Sequence, residues 1–154
     1  MPGECGDTFR VRAKAGDAVC PGCRSRSSRV HARHRRQLAD LPLGGLPSRC
    51  EPAVIACREH KKNHELDVVV SADPPGEKSR ILAIGEVKAT KWLVGLNQLE
   101  RLQHIRSLLS VDAIAGEPKL LLFSRQGFTP ELAAEARRRP DVALIDLQRL
   151  YQGS

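Results

Sequence analysis

Two acidic residues and a lysine fall within neighbouring apolar runs of this sequence, where their types and spacing could bind a metal ion. Asp67 lies in the run 64–70, and Glu86 and Lys88 lie in the run 80–88. Hard divalent cations such as Mg²⁺ are held by one or two carboxylates together with water and phosphate oxygens. The pattern therefore predicts a metal-dependent site that cleaves phosphodiesters.

Each of these residues has an expected role. Cleavage of a phosphodiester needs neutralisation of charge at the phosphate and an activated water. Asp67 and Glu86 would hold one or two Mg²⁺ or Mn²⁺ ions, and the carbonyl of Val87 could add an oxygen ligand. Lys88 lies two residues beyond Glu86, so it points to the same face of a strand and could orient the water or stabilise negative charge.

The alternative is an ordinary exposed acid on one strand and a Glu/Lys surface pair on the next. The apolar neighbours of Asp67 and Glu86 favour the metal site, because a buried charge is costly unless it is paired or bound to a metal.

The elements that must position these residues follow from hydrophobic periodicity and turn signals. Residues 66–72 and 80–89 predict a hairpin, and 119–124 and 142–147 predict two further strands. Leucines and an isoleucine at spacings of three and four predict a helix over 93–109, and Thr129 followed by Pro130 predicts the start of a second helix that ends before Pro140. The order β-β-α-β-α-β predicts an α/β fold, a small mixed sheet flanked by helices.

The cysteines predict a zinc site in the N-terminal part. All five lie in the first 57 residues, and an odd number that includes one Cys-x-x-Cys favours metal binding over disulfides. The turn Cys20-Pro-Gly-Cys23 presents two thiolates to one Zn²⁺. Cys50 and Cys57 would complete the site, although their spacing is wide. His31 and His34 are alternative ligands, Cys5 is left over, and cysteines without a metal in a disordered arm are a further alternative.

The positive charge is also concentrated near the N-terminus. The chain has 154 residues and a net charge of +7, and residues 1–50 contain ten Lys and Arg against four Asp and Glu. A local basic segment is typical of phosphate binding, although a solvated arm without a partner has the same composition. The residues expected to contact DNA are Arg29, His31, Arg33, Arg35 and Arg36.

Composition changes near residue 60 and predicts two parts: a Cys- and Arg-rich zinc-finger-like segment, 1–57, and a domain, 64–154. No run reaches the roughly 20 apolar residues of a membrane span, and no signal-peptide pattern opens the chain. We therefore expect a cytoplasmic protein.

Residues 64–151 resemble the PD-(D/E)XK nuclease superfamily, in particular the nuclease-like domain that ends many prokaryotic AAA-type ATPases. The resemblance rests on the runs 65–69, 85–90 and 122–130. It implies a restriction-endonuclease-like fold in which Asp67 and Glu86 bind the metal and Lys88 is the catalytic lysine. It also implies that Gln98, early on the following helix, lies near the active site. The chain has no G-x-x-x-x-G-K-[ST], so an ATPase partner would be a separate polypeptide.

Residues 9–45 resemble the N-terminal zinc-finger segment of a class of bacterial insertion-sequence transposases. The matching runs are 19–23, 28–42 and the pair Gly44-Gly45. The resemblance implies DNA binding through zinc and arginines. The DDE-type catalytic core of a transposase is absent from this chain.

Three hypotheses follow for the function. The favoured one is a Mg²⁺-dependent DNA endonuclease with a basic zinc-finger-like arm. The second is a DNA-binding transposase fragment without catalysis, and the third is a protein-interaction module derived from an ATPase. A recombined remnant of a mobile element inserted into an ATPase gene, one that does not fold well, is a further alternative.

Overall fold

A mixed β-sheet organises the part of the chain that the structure describes. The structure is a computed structural model and describes residues 41–57 and 61–152. Five strands lie in the order β1-β2-β3-β4-β5. Pairing is antiparallel from β1 to β3 and parallel from β3 to β5. The strands are β1 (Arg49–Cys57), β2 (Lys62–Ala72), β3 (Arg80–Lys88), β4 (Ile114–Ser124) and β5 (Val142–Asp146).

Helices connect the parallel strands, as such connections require. Helix α1 (Leu96–Ser107) and a short 3₁₀ turn (Val111–Ala113) lead from β3 to β4, and α2 (Pro130–Arg138) leads from β4 to β5. Helix α3 (Leu147–Gln152) follows β5. The hydroxyl of Thr129 accepts a hydrogen bond from the amide of Leu132 at 3.3 Å, so it caps α2 as the sequence predicted.

The apolar core lies on both faces of the sheet. On one face, Leu99, Leu102 and Ile105 of α1 pack against β3 and β4, together with Leu132 of α2. On the other face, Leu41 and Leu43 cover the sheet, and Leu150 of α3 packs against the same cluster while remaining partly exposed. The central strands β3 and β4 are therefore buried on both sides, which explains their nearly continuous apolar sequence.

The sequence predicted this α/β architecture and the strands and α-helices from β2 to β5, with ends that differ by up to five residues, but not α3. It did not predict β1. Within β1, Ala53, Ile55 and Cys57 alternate with more exposed residues and turn their side chains into the core. Pro52 obscured this alternation, and it is tolerated because β1 lies at the edge of the sheet.

Strand β1 also bears on the predicted division of the chain. Residues 49–57, which composition assigned to the zinc-finger-like segment, pair with β2 and belong to the same sheet as the elements of 64–154. The preceding residues 41–48, which are rich in Pro and Gly, contain no helix or strand, and Leu41 and Leu43 are buried there. No helix within residues 41–57 and 61–152 is long and apolar enough to cross a membrane.

Asp141, just before β5, connects α1, α2 and β5 through two arginines. Its carboxylate accepts hydrogen bonds from Arg139 at 2.5 and 3.1 Å and from Arg106 at 2.8 Å. Arg106 also donates to the carbonyl of Pro118 at the start of the buried part of β4. The two hydrogen bonds from Arg139 hold the pKa of Asp141 well below its ordinary value, and the hydrogen bond from Arg106 contributes in the same direction. Partial burial opposes this shift, because it raises the pKa.

We expect this site to make folding stability depend on pH. Since the folded pKa is depressed, the stabilisation is complete above the ordinary carboxyl pKa of about 4 and is lost as the pH falls below it. In Asp141→Asn, the free energy of unfolding from urea titrations between pH 2.5 and 7 should fall less steeply below pH 4 than in the unaltered protein. The control is Asp112→Asn, at an exposed carboxylate, in which the free energy of unfolding should depend on pH as in the unaltered protein. The same pH dependence in both variants and the unaltered protein would contradict the role of Asp141.

Gly85 allows β3 to approach β4 closely. A Cβ at this position would lie 2.9 Å from the carbonyl oxygen of Leu121 and 3.0 Å from its Cβ. Leu121 is fully buried, so the backbone of β4 cannot shift there without disturbing the core on both faces of the sheet. We expect Gly85→Ala to lower the free energy of unfolding by about 1–3 kcal/mol through this overpacking. Val87→Ala, at an exposed position of the same strand, should change it by less than about 1 kcal/mol.

Candidate functional site

The site forms where β2 and β3 part. The last paired residues are Val68 and Gly85, so continuing the register by one position would place Asp67 opposite Glu86. Instead of a backbone pairing, an Oδ2 of Asp67 accepts a hydrogen bond from the amide of Val87 at 2.8 Å. The Asp67 carboxylate therefore lies against the peptide bond that joins Glu86 to Val87. The sequence predicted both strands of the hairpin, and the register between them decides that Asp67 lies beside Glu86.

A β-bulge in β2 determines the position of Asp67. Leu66 pairs with Ala53 and Val69 pairs with Glu51, so β2 has one more residue than β1 between these two pairs. Bulges of this kind redirect a side chain and end regular pairing, and they occur often beside functional sites. Leu66 and Val69 consequently both face the helix-covered core, while Asp67 between them remains exposed.

Glu86 lies on the α1 face of β3 and is only 4% exposed. One carboxylate oxygen forms an ion pair with Lys88, two residues further on the same strand. The other accepts a hydrogen bond from Nη1 of Arg101 at 2.5 Å. Burial of this charge is thus offset by two cations, as a buried carboxylate requires.

Sequence reasoning did not find Arg101. It lies on α1 between the buried Leu99 and Leu102, and besides Glu86 it donates to the carbonyl of Glu65 on β2 at 3.2 Å. It therefore joins α1 to both strands at the point where they part. The signal that could have revealed it is its place within the buried stripe of a helix that directly follows the acidic strand.

Gln98, predicted to lie near the site, is one helical turn before Arg101 and is partly buried. Residues three apart share a helix face, so its position is compatible with the prediction. Within the described part of the chain, its side chain makes no hydrogen bond to Asp67, Glu86 or Lys88.

The donor set can be compared with the needs of a metal ion. Asp67 and Glu86 offer the carboxylates that a hard divalent cation prefers, with water and phosphate as further ligands. Within residues 41–57 and 61–152, no three or more His, Cys, Asp or Glu side chains converge as a ligand group. The acids fit a Mg²⁺ ion in chemistry and number, but Lys88 and Arg101 already balance their charge, so Arg101 competes with a cation for Glu86.

The second cysteine pair needs a correction. Cys50 and Cys57 lie near opposite ends of β1, seven residues apart, which is about 23 Å at the rise of a β-strand. A tetrahedral zinc ion binds each thiolate at about 2.3 Å, so these two cannot ligate one ion together. Partial desolvation, and then the charge of Glu51, raises the pKa of the Cys50 thiol above its ordinary value.

The remaining predicted site residues lie outside the part of the chain that the structure describes. They are the zinc ligands Cys20 and Cys23 and the DNA-contacting residues Arg29, His31, Arg33, Arg35 and Arg36.

Comparisons with known proteins add little about function. No family model matches the chain, and no curated protein matches it. Among solved structures, a protein of unknown function, AF1548, is similar at 16% identity and a TM-score of 0.41, over 75% of this chain and 58% of that one. Protein VC1899 from Vibrio cholerae is similar at 22% identity and a TM-score of 0.45, over 80% of this chain and 30% of its own length. The chain thus spans well under two thirds of either protein.

The buried ion pair gives a measurable coupling. In a double-mutant cycle of Glu86→Gln and Arg101→Gln, we expect a coupling free energy of about 1–2 kcal/mol from urea unfolding, because Arg101 binds a carboxylate shielded from water. The matched control is Glu77 with Arg80, an exposed pair 3.8 Å apart on the same hairpin. Its coupling should stay below about 0.5 kcal/mol. Equal couplings in the two cycles would show that Glu86 gains nothing from its burial.

Proposed function

We propose that this protein is a Mg²⁺-dependent DNA endonuclease and that its five-stranded sheet is a restriction-endonuclease-like fold. The observation that carries the proposal is the contact between the Asp67 carboxylate and the peptide bond of Glu86 and Val87, with Lys88 on the same strand face as Glu86. Asp67 therefore lies beside the backbone of Glu86 where the pairing of β2 and β3 ends, and Lys88 pairs with the Glu86 side chain. Two carboxylates and a lysine placed this way could hold a metal ion and stabilise charge in phosphodiester hydrolysis.

Each residue of the site has a defined part in this reaction. Asp67 and Glu86 would hold the Mg²⁺ ion, which would supply charge neutralisation and lower the pKa of water. Lys88 lies partly exposed beside Glu86. Its ammonium group orients the attacking water and stabilises the negative charge that develops on the phosphate. Arg101 holds Glu86 in place from the helix side and keeps α1 packed over the site.

The N-terminal segment is proposed to bind the DNA. Arg29, Arg33, Arg35 and Arg36 would contact phosphates, and their binding would weaken as salt rises. Cys20 and Cys23 are the proposed zinc ligands, and the geometry of β1 means that the site has to be completed without Cys50 and Cys57 acting together. A separate ATPase is a possible partner by resemblance.

A second candidate is DNA binding without cleavage, and one observation favours it. Both oxygens of Glu86 are engaged by cations, so the site is electrically balanced without a metal ion. A protein that had lost catalysis would keep such pairs for stability alone. The two candidates differ in whether DNA is cut, and not in whether it is bound.

Cleavage of supercoiled plasmid tests the proposal. With Mg²⁺ or Mn²⁺ we expect nicking that EDTA abolishes, and we expect Lys88→Ala and Asp67→Asn each to slow it at least about 100-fold, since they remove charge stabilisation or a metal ligand. The control is Lys78→Ala, an exposed lysine at the opposite end of the same hairpin, which should cut at the original rate.

The possible results separate the candidates. Metal-dependent nicking that both site variants lose supports the endonuclease. Cleavage that survives in Lys88→Ala and Asp67→Asn would sink the proposed site. A gel shift without cleavage would favour the binding module, and no binding at all would favour an interaction domain.

A further inference from the structure

The segment that follows β3 exposes the one tryptophan of the chain. Trp92 is 69% exposed and its neighbour Leu93 is 51% exposed. The ammonium group of Lys91 lies 5.2 Å from the centre of the indole ring. A large aromatic ring left in water has no role in the core, and its burial would be favourable on binding a partner.

Backbone contacts hold this segment against the loop after β4. The amide of Val94 donates to the carbonyl of Gly127 at 3.1 Å, and the amide of Thr129 donates to the carbonyl of Val94 at 2.9 Å. The amide of Arg125 donates to the carbonyl of Lys88 at 3.1 Å. The exposed ring therefore stands on a fixed base at the ends of the two central strands.

The surroundings of the ring are positively charged. Segments 89–96 and 125–129 contain Lys91 and Arg125, both exposed, and no Asp or Glu. Together these two segments form a surface with an exposed aromatic ring and two cations, which we call the Trp92 rim. Positive charge beside an exposed ring matches the two parts of a nucleic-acid strand, phosphate and base.

The Trp92 rim is continuous with the candidate site. Trp92 follows Lys88 by four residues, so their Cα atoms are at most about 14 Å apart. Arg125 is bonded through its backbone to Lys88 itself. A strand of a few nucleotides can therefore reach the carboxylates and the ring at the same time.

We propose that the Trp92 rim binds single-stranded nucleic acid, with a base stacked on Trp92 and phosphates at Lys91 and Arg125. This inference rests on the proposed function and names its substrate class: a single strand, or an unpaired stretch, at the cleavage site. A duplex would satisfy Lys91 and Arg125, but its bases are stacked on each other and offer no face to an exposed ring. The ring therefore distinguishes a single strand from a duplex.

The fluorescence of Trp92 gives a local readout, because the chain has no other tryptophan. The full-length Lys88→Ala protein in EDTA is titrated with a 12-nucleotide oligothymidylate and with a 12-base-pair duplex, so that no cleavage can occur. We expect strong quenching by the single strand, at least threefold weaker quenching by the duplex, and loss of affinity with added salt.

Two variants test the parts of the rim. Arg125→Gln keeps the reporter, and we expect at least threefold weaker affinity in the quenching titration, whereas Arg80→Gln, at an exposed arginine near the other end of β3, should leave it unchanged. The double variant Trp92→Phe, Tyr151→Trp moves the tryptophan to another exposed position on α3 and should show no quenching.

The outcomes separate this inference from the nuclease proposal. Equal quenching by single strand and duplex, quenching of the relocated tryptophan, or no quenching would overturn the Trp92 rim, even if plasmid is cut. Selective quenching in a protein that cuts no DNA would support the rim and overturn only the nuclease. If a protein ligand changed the fluorescence of Trp92 and nucleic acid did not, the inference would also be overturned.

Discussion

The carboxylate of Glu86 is buried in the sheet, and the surrounding structure has to compensate its charge. A carboxylate that is 4% exposed loses most of its hydration, and only nearby cations and hydrogen-bond donors can offset that loss. Lys88 comes from the same strand, but Arg101 comes from α1. The helix is thus fixed to the sheet by a charge as well as by its leucines, and its position defines one wall of the candidate site.

The opening beside Glu86 depends on two departures from regular strand geometry. The bulge in β2 frees Asp67 from the backbone ladder and lets its carboxylate take the amide of Val87. On the other side, Gly85 leaves no room for a Cβ beside Leu121 of β4. Strand β3 thus stays paired with β4 up to Lys88, while its pairing with β2 ends at Gly85, so polar groups lie on one side of β3 without disturbing the core.

The same arrangement explains why the site is electrically balanced: Lys88 and Arg101 compensate the charge of Glu86. In the proposed function, these two cations would also face the negative charge of a nucleic-acid strand. Further out, Lys91 and Arg125 add positive charge around Trp92 on segments that backbone hydrogen bonds hold together. Positive charge thus extends from the buried carboxylate outward to an exposed aromatic ring, along a path that a single strand could follow.

The sequence by itself determined the α/β class, the hairpin and the first two helices, because these depend on local periodicity, caps and strand alternation. The assignment of Asp67, Glu86 and Lys88 to a functional site stays a prediction. The sequence did not determine β1, whose alternation is interrupted by Pro52 and becomes meaningful only when the edge position is known. Neither Arg101 nor the separation of Cys50 from Cys57 could be inferred, since each depends on which residues distant in the chain meet. Side chains that share a strand follow from a period of two, whereas the contact of a helix arginine with a strand carboxylate is decided only by how the helix packs on the sheet.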